Sequence, residues 1–152
     1  MEPSIWVRFP VATPNMIRLI WIFVIAFGLN ALWENFHSGL YVHYRGGEIT
    51  EFILLRAAVV DAVMIALIAA PFIFWPALNR RSWLIIIAGL IVAVALERFA
   101  LATGRWAYND LMPIIPLLAT GLTPTIQLGL LGFLSFKLAN KLSGYQKAGI
   151  TS

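Results

Sequence analysis

Four long apolar segments follow one another along the 152-residue chain. Each has roughly the 20 mostly apolar residues that a membrane-spanning helix needs. The predicted spans are 16–36, 52–75, 83–102 and 117–138, the second ending before Pro76 and the fourth beginning after Pro116. Because short polar loops join them, the pattern predicts one all-α domain over residues 1–152. The predicted fold is an integral membrane bundle of four transmembrane helices running up and down.

The composition supports a membrane protein. Hydrophobic residues make up 61% of the chain and charged residues 12%, and the mean hydropathy is +0.84. Soluble domains carry about 25% charged residues, so a soluble enzyme, a disordered chain and a nucleic-acid-binding domain are excluded. The net charge of +4 therefore gives no reason to expect a nucleic-acid partner. The sequence has no cysteine, which excludes disulfides and thiolate chemistry.

The basic residues predict the orientation of the spans. If the N-terminus is cytoplasmic, the only arginine or lysine residues in the outer loops are Arg45 and Arg105. The cytoplasmic set is then Arg8, Arg18, Arg80, Arg81, Lys137, Lys141 and Lys147. This bias places both termini in the cytoplasm, and the membrane we expect is the bacterial cytoplasmic (inner) membrane. The first span is too long and too polar at its end for a cleaved secretory signal, so we expect it to be retained.

Polar residues inside the spans are predicted to lie on one side of the membrane. Asn30, Glu34, His37 and Tyr41 follow helical spacing and form one stripe on the first helix. The other span-located polar residues are Arg56, Asp61, Glu97, Arg98, Thr120, Thr123 and Gln127, the last three forming a second stripe. Lipid cannot satisfy such groups, so both stripes should face the bundle interior. Under the predicted orientation they occupy the extracytoplasmic half, and the cytoplasmic half is apolar.

The charges within the spans have a structural and a functional interpretation. Glu34 would form an ion pair with Arg56 or Arg98, or Asp61 with Arg98, as a structural link between helices. The carboxyls of Glu34, Asp61 and Glu97 nevertheless outnumber the two arginines. At least one carboxyl is therefore expected to be protonated or to bind a ligand. Glu97 and Arg98 point about 100° apart on a helix, so only one of them can face the interior squarely.

A metal site is not expected from this pattern. Glu34 and His37 form a Glu-x-x-His motif, the spacing found in carboxylate di-iron bundles. That chemistry needs two such motifs, and this chain has one. We therefore predict no metal and no cofactor.

The segment between the last two spans is rich in residues that interrupt helices. Gly104 is suited to end the third helix, and Pro113 and Pro116 prevent a regular helix after it. Pro124 would free the backbone carbonyl of Thr120 to line a polar cavity. Arg105 is a candidate for binding a carboxylate or phosphate head group.

Two sets of motifs together resemble a group of small four-span bacterial membrane proteins. The first is Trp33-Glu34-x-x-His37-x-x-Leu40-Tyr41. The second runs through Thr103-Gly104-Arg105-Trp106-x-Tyr108, Met112-Pro113-x-x-Pro116 and Gly121-Leu122-x-Pro124-x-x-Gln127. This resemblance implies a fold without an activity. More distantly the chain resembles the membrane cyclases and hydratases of carotenoid synthesis, although it lacks the paired carboxylates after a proline that those cyclases show. It also resembles sterol-isomerase-like proteins at the level of fold, which does not carry function.

The leading functional hypothesis is a membrane-embedded enzyme that acts on a lipid or isoprenoid ligand. The candidate acid–base residues are Glu34, Glu97, Asp61 and His37. The candidate substrate-binding residues are Trp33, Arg56, Arg105, Trp106, Tyr108 and Gln127, the aromatic ones packing the substrate or stabilising a cation.

Two other functions stay open. One is an accessory or structural subunit of a larger membrane complex, in which every charge is already paired. The other is a small proton-coupled transporter, which needs polar groups reaching both faces of the membrane. A chain of this size is also a candidate for a homodimer. A lipid-sized pocket bordered by carboxyls would favour the enzyme.

Overall fold

Four long helices form the body of the molecule. The computed structural model describes residues 13–149, with side chains as far as Ser143. The long helices are α1 (Pro14–His37), α2 (Glu51–Phe74), α4 (Leu84–Ala102) and α5 (Leu122–Gly149), and a short α3 (Pro76–Asn79) joins α2 to the turn before α4. All four are long and apolar enough to cross a membrane, which confirms the predicted integral membrane bundle. The orientation stays a prediction, and Arg8 and Lys147, on which it partly rests, lie outside the described side chains.

The first three helices begin and end within two residues of the predicted spans, but the fourth does not. Helix α5 starts at Leu122 rather than at residue 117, because the preceding segment is extended. Pro116 cannot donate to a helix, and Ala119 adopts a positive φ of 51°. Thr120 therefore precedes the helix, so a helical stripe through Thr120 and a helical carbonyl freed by Pro124 are wrong. Thr120 and Gln127 are nevertheless both buried, as predicted for that stripe.

The helix ends follow local chemistry. The side chain of Thr13 caps α1 by accepting from the backbone N–H of Met16 at 3.4 Å, and Thr50 caps α2 in the same way. Gly104 follows the end of α4 with a φ of +64°, a conformation that glycine adopts without a side-chain clash. The prediction that Gly104 ends the third helix is confirmed.

Two small antiparallel sheets, which the sequence analysis did not predict, lie at one end of the bundle. Strand β1 (Tyr41–Tyr44) pairs with β2 (Trp106–Tyr108), and β3 (Ile114–Ile115) pairs with β4 (Thr120–Gly121). Because β1 follows α1 through the 3-10 turn Ser38–Leu40, and β2 follows α4, the first sheet joins the ends of two helices. We call this the sheet end of the bundle.

The helices pack unevenly around the core. Helix α1 packs closely against α2 and α5, and α4 packs closely against α5, whereas α2 and α4 make few contacts with each other. Gly89 and Gly129 bring α4 and α5 into backbone contact, since a Cβ on Gly129 would lie 2.7 Å from the carbonyl oxygen of Ile86. Many of the large side chains on the outer faces are apolar, as expected of helices that face lipid. The bundle is thus tight between α4 and α5 and open between α2 and α4.

The glycine crossing of α4 and α5 yields the first prediction. Gly129→Ala should lower the thermal unfolding midpoint in mild detergent by an amount corresponding to about 1–3 kcal/mol, because the added methyl group forces the backbones apart. Gly28→Ala is the matched control, since a Cβ there meets nothing within 4 Å. Circular dichroism against temperature measures both. Equal behaviour of the two variants would contradict the close α4–α5 packing.

Candidate functional site

The polar residues of all four long helices meet near the sheet end. Because the helices alternate in direction, the C-terminal halves of α1 and α4 lie beside the N-terminal halves of α2 and α5. Glu34 and Glu97 come from the first pair of helices, and Asp61 and Gln127 from the second. Asn30, Glu34 and His37 are all buried, so this part of the predicted stripe does face the interior. Tyr41, the fourth residue of the predicted stripe, lies in β1 beyond the end of α1, so its inclusion in a helical stripe is wrong.

The side-chain amide of Gln127 joins three helices at one point. Its nitrogen Nε2 donates to Asn30 Oδ1 at 2.9 Å, to Glu34 Oε1 at 2.7 Å and to Asp61 Oδ2 at 2.9 Å. Asn30 and Glu34 belong to α1 and Asp61 to α2, whereas Gln127 belongs to α5. We call these four residues the Gln127 cluster.

The Gln127 cluster has more acceptors than its amide has hydrogens. An amide NH₂ group offers two hydrogens, yet three oxygens lie within hydrogen-bond distance of this one. Asn30 uses its own Nδ2 to donate to the carbonyl of Ala26 at 2.8 Å, which leaves its oxygen as the acceptor. The carboxyl groups of Glu34 and Asp61 are also within hydrogen-bond reach of each other. A proton on either carboxyl would complete the network.

The third carboxyl, that of Glu97, is held by aromatic side chains. Its Oε1 accepts from Trp106 Nε1 at 3.1 Å and from the hydroxyl of Tyr108. The Tyr108 hydroxyl in turn accepts from the backbone N–H of Gly121 at 2.7 Å. Burial and the bond to Glu97 raise the pKa of Tyr108, so it stays a donor at neutral pH. Burial, followed by the charge of Glu97, also raises the pKa of Tyr41.

A partly open cavity of about 460 Å³ separates Glu97 from the Gln127 cluster. Residues of α2, including Arg56 and Asp61, form one wall, and residues of α4, including Glu97 and Phe99, form another. The cavity thus lies between two helices that make few contacts with each other. Its volume falls within the range of roughly 300–1,000 Å³ typical of small-molecule sites.

His37 also lines this cavity, and aromatic rings fix its orientation. The ring lies edge-on to Tyr41, with centroids 5.3 Å apart, and its Nδ1 lies 3.2 Å from the carbonyl oxygen of Trp33. The other nitrogen, Nε2, is buried and has no hydrogen-bond partner among the side chains described.

The arginines do not form the ion pairs that the structural interpretation required. Arg56 donates to the hydroxyl of Tyr44 at 2.7 Å, and Arg98 donates to the carbonyl of Leu118 at 3.1 Å. Arg98 is exposed while Glu97 is buried, as the divergent directions of the two side chains predict. Within residues 13–143, no lysine or arginine nitrogen lies within 4.0 Å of a carboxylate oxygen. The predicted pairs of Glu34 and Asp61 with arginine are therefore wrong.

The structure brings together most of the candidate residues. Those lining the cavity are Glu34, His37, Arg56, Asp61, Glu97, Arg105, Trp106 and Gln127. Tyr108 is not among the lining residues, but its hydroxyl donates to Glu97. Trp33 is not among the lining residues, although its ring lies 6.1 Å from that of His37. Within residues 13–143, no group of three histidine or acidic side chains is placed to hold a metal ion.

Some polar contacts at this end were not foreseen. Thr125, buried in the first turns of α5, lies with its hydroxyl 3.0 Å from that of Thr120. Tyr44 bonds Arg56 and lines the cavity. The turn at Arg45 and Gly46 follows directly after Tyr44, which lines the cavity together with Tyr41.

No family model, curated protein or solved structure matches the chain. The resemblance to small four-span membrane proteins stays a prediction, and the functional argument depends on the site geometry.

The hydrogen-bond network around Glu97 yields the second prediction. Tyr108→Phe removes the hydroxyl that joins Glu97 to the buried backbone N–H of Gly121. Leaving buried polar groups without a partner costs about 1–3 kcal/mol, so the thermal unfolding midpoint in detergent should fall.

Tyr44→Phe is the control, because it also loses one tyrosine hydroxyl but from an exposed bond to Arg56. Its midpoint should change much less. A Tyr108→Phe variant as stable as Tyr44→Phe would mean that Tyr108 does not support the site.

Proposed function

We propose that this integral membrane protein binds a lipid or isoprenoid in the cavity between α2 and α4 and modifies it by acid–base chemistry. One observation carries the proposal. Two carboxyls that share one amide nitrogen face the same cavity as a third carboxyl, and the cavity is lined by apolar and aromatic side chains. Ionisable groups inside a membrane are costly and usually functional.

The position of the cavity suits a substrate that comes from the bilayer. Helices α2 and α4 make few contacts with each other, and both contribute residues to the cavity wall. An amphiphile would pass between them with its chain still in lipid. The aliphatic wall residues Ile53, Val60 and Leu96 suit a hydrocarbon chain.

The Gln127 cluster is suited to proton transfer. We infer that Glu34 and Asp61 share one proton, because two carboxylates this close cannot both be ionised without a cation beside them. The protonated carboxyl would donate to one carbon of a double bond, and a carboxylate would remove a proton from a neighbouring carbon. The electron pairs and protons balance, so the net change is a double-bond isomerisation or cyclisation without a cofactor.

Glu97 and the aromatic rings would act on the opposite side of the substrate. Tyr41 and Trp106 line the cavity and lie in contact, with ring centroids 6.0 Å apart. The faces of such rings stabilise a positive charge, which is the charge that protonation of a double bond creates. Glu97, bound to Trp106, would then be the second carboxyl able to accept a proton.

Two arginines at the cavity edge would bind the polar end of the substrate. Arg105 lies with its guanidinium 5.0 Å from the Phe99 ring centroid, and Arg56 lies 5.2 Å from that of Tyr44. Both line the cavity, and among the side chains of residues 13–143 neither has an acidic partner within 4.0 Å. A guanidinium binds carboxylates and phosphates well. Under the predicted orientation this edge faces the extracytoplasmic side.

The second candidate is a non-enzymatic subunit of a membrane complex. It is favoured by the Gln127 cluster, whose hydrogen bonds link α1, α2 and α5 and so stabilise the bundle itself. A proton-coupled transporter is supported less, because the lining of the cavity comes from one half of the bundle only.

The third prediction tests lipid binding directly. Protein purified in mild detergent should retain a defined lipid or isoprenoid in native mass spectrometry. Glu34→Gln and Glu97→Gln should each lower its occupancy several-fold, because both carboxyls border the cavity. Asp110→Asn is the control, since it neutralises an exposed loop carboxyl outside the cavity lining.

The result also separates the two candidate functions. A defined ligand lost in both glutamine variants but kept in Asp110→Asn supports the enzyme, and turnover of the identified ligand would then be assayed. Bulk lipid alone, together with glutamine variants that only lose stability, would overturn it in favour of a structural subunit.

A further inference from the structure

Three arginines line the cavity at the sheet end, and local structure brings them together: Arg45, Arg56 and Arg105. Arg45 follows β1 and Arg105 precedes its partner strand β2, and the backbone N–H of Arg45 donates to the carbonyl of Arg105 at 2.6 Å. The guanidinium carbons of Arg45 and Arg56 lie 5.7 Å and 5.2 Å from the centroid of the same ring, that of Tyr44. We call these three residues the arginine edge.

The protein does not neutralise the arginine edge. Among the side chains of residues 13–143, no carboxylate oxygen lies within 4.0 Å of these guanidinium groups. The cavity carboxyls of Glu34 and Asp61 accept from Gln127 instead. The carboxyl of Glu97 accepts from Trp106. Three like charges close together repel one another, so an anion bound between them is favoured by Coulomb energy.

His43, two residues before Arg45, adds a further donor to this end of the cavity. Its Nδ1 accepts from the backbone N–H of Gly46 at 3.1 Å, so in the neutral ring Nε2 carries the hydrogen. A guanidinium has five N–H groups and no acceptor. Among residues 13–143, Arg56 is the only member of the arginine edge whose side chain donates to the protein, at 2.7 Å from the Tyr44 hydroxyl. The edge therefore suits a head group that is rich in acceptors.

We propose that the ligand is an amphiphile with a terminal phosphate, which the arginine edge binds. This inference rests on the proposed function and narrows its substrate class. A phosphomonoester carries about −1.5 to −2 charges at pH 7 and three strong acceptor oxygens, so it accepts from more than one guanidinium at once. Each guanidinium matches a pair of phosphate oxygens with two parallel hydrogen bonds. A carboxylate has a smaller charge and fewer acceptor oxygens, and an alcohol is uncharged.

The arginine edge and the Gln127 cluster lie at different levels of the cavity. Arg56 and Asp61 both belong to α2, and Arg56 comes five residues earlier, nearer the start of the helix. With a rise of 1.5 Å per residue, that separation is about 7.5 Å along the helix axis. A phosphate held by the arginines therefore leaves the chain of the ligand beside the carboxyls. The phosphate positions the chain and is not itself changed in the proposed reaction.

The test compares three isoprenoids that differ in the head group: farnesyl phosphate, farnesoic acid and farnesol. Competition in native mass spectrometry on the full-length protein in mild detergent ranks their affinities. The wild-type protein should prefer farnesyl phosphate to farnesoic acid by about tenfold or more, and farnesol should bind more weakly than either. Inorganic phosphate is the fourth probe, and at the same concentration it should not displace farnesyl phosphate, because it has no chain to fill the cavity.

The variants assign the preference to the arginine edge. Arg45→Gln and Arg105→Gln should each lower the preference for farnesyl phosphate over farnesoic acid several-fold, because each removes one cation. Arg56→Lys keeps the charge but loses the planar fork, so it should lose part of the preference. Arg98→Gln is the matched control, since Arg98 donates to the carbonyl of Leu118 and is not among the lining residues. It should keep the wild-type preference. The thermal unfolding midpoint checks that each variant is folded.

Equal binding of farnesyl phosphate and farnesoic acid by the wild-type protein would overturn the phosphate head while leaving the proposed function intact. So would an unchanged preference in folded Arg45→Gln and Arg105→Gln variants. Displacement of farnesyl phosphate by an equal concentration of inorganic phosphate would indicate a site for free phosphate and would overturn the assignment of an amphiphile. Failure of every isoprenoid and of any co-purifying lipid to bind would overturn the proposed function as well.

Discussion

The amide of Gln127 is the contact on which the polar end of the bundle depends. One nitrogen bonds side chains of α1 and α2 from its position on α5. Between membrane helices the hydrophobic effect gives little drive for association. Polar contacts and close packing must supply it. The close glycine contact of α4 with α5 and the hydrogen bonds of Gln127 are complementary solutions to this problem.

The same contact leaves two carboxyls without a cation beside them, and a purely structural role does not explain why both are there. A bundle held together for stability would pair each carboxyl with a cation or replace it by an amide, because buried charges without partners are destabilising. Here two carboxyls meet at one amide, and the nearby arginines bond Tyr44 and a backbone carbonyl instead. This arrangement is the reason that we propose proton transfer at the Gln127 cluster.

Helical periodicity predicted much of this site, but it could not predict the structure of the connections between the helices. The stripe of Asn30, Glu34 and His37 was predictable because lipid forces polar groups inward and a helix has a fixed repeat. The start of α5 was not, since residues 113–121 form a short hairpin whose pairing depends on tertiary contacts. The hydrogen-bond partner of each arginine was not predictable either, because a long side chain can reach several acceptors. The meeting of Asp61 with Glu34 required knowing which helices are neighbours, and composition and spacing do not contain that information.

Glu97 is the strongest reason to assign the cavity a function beyond stability. It takes no hydrogen bond from Gln127, and the groups that hold it come from the connection after α4, through Trp106 and Tyr108. Two separately built carboxyl sites thus face one cavity from opposite walls. Packing alone would close the space between α2 and α4, since apolar side chains there would gain contacts by doing so. The first sheet instead joins the ends of α1 and α4 and keeps aromatic rings beside the gap. This cavity is therefore where we propose that a ligand binds.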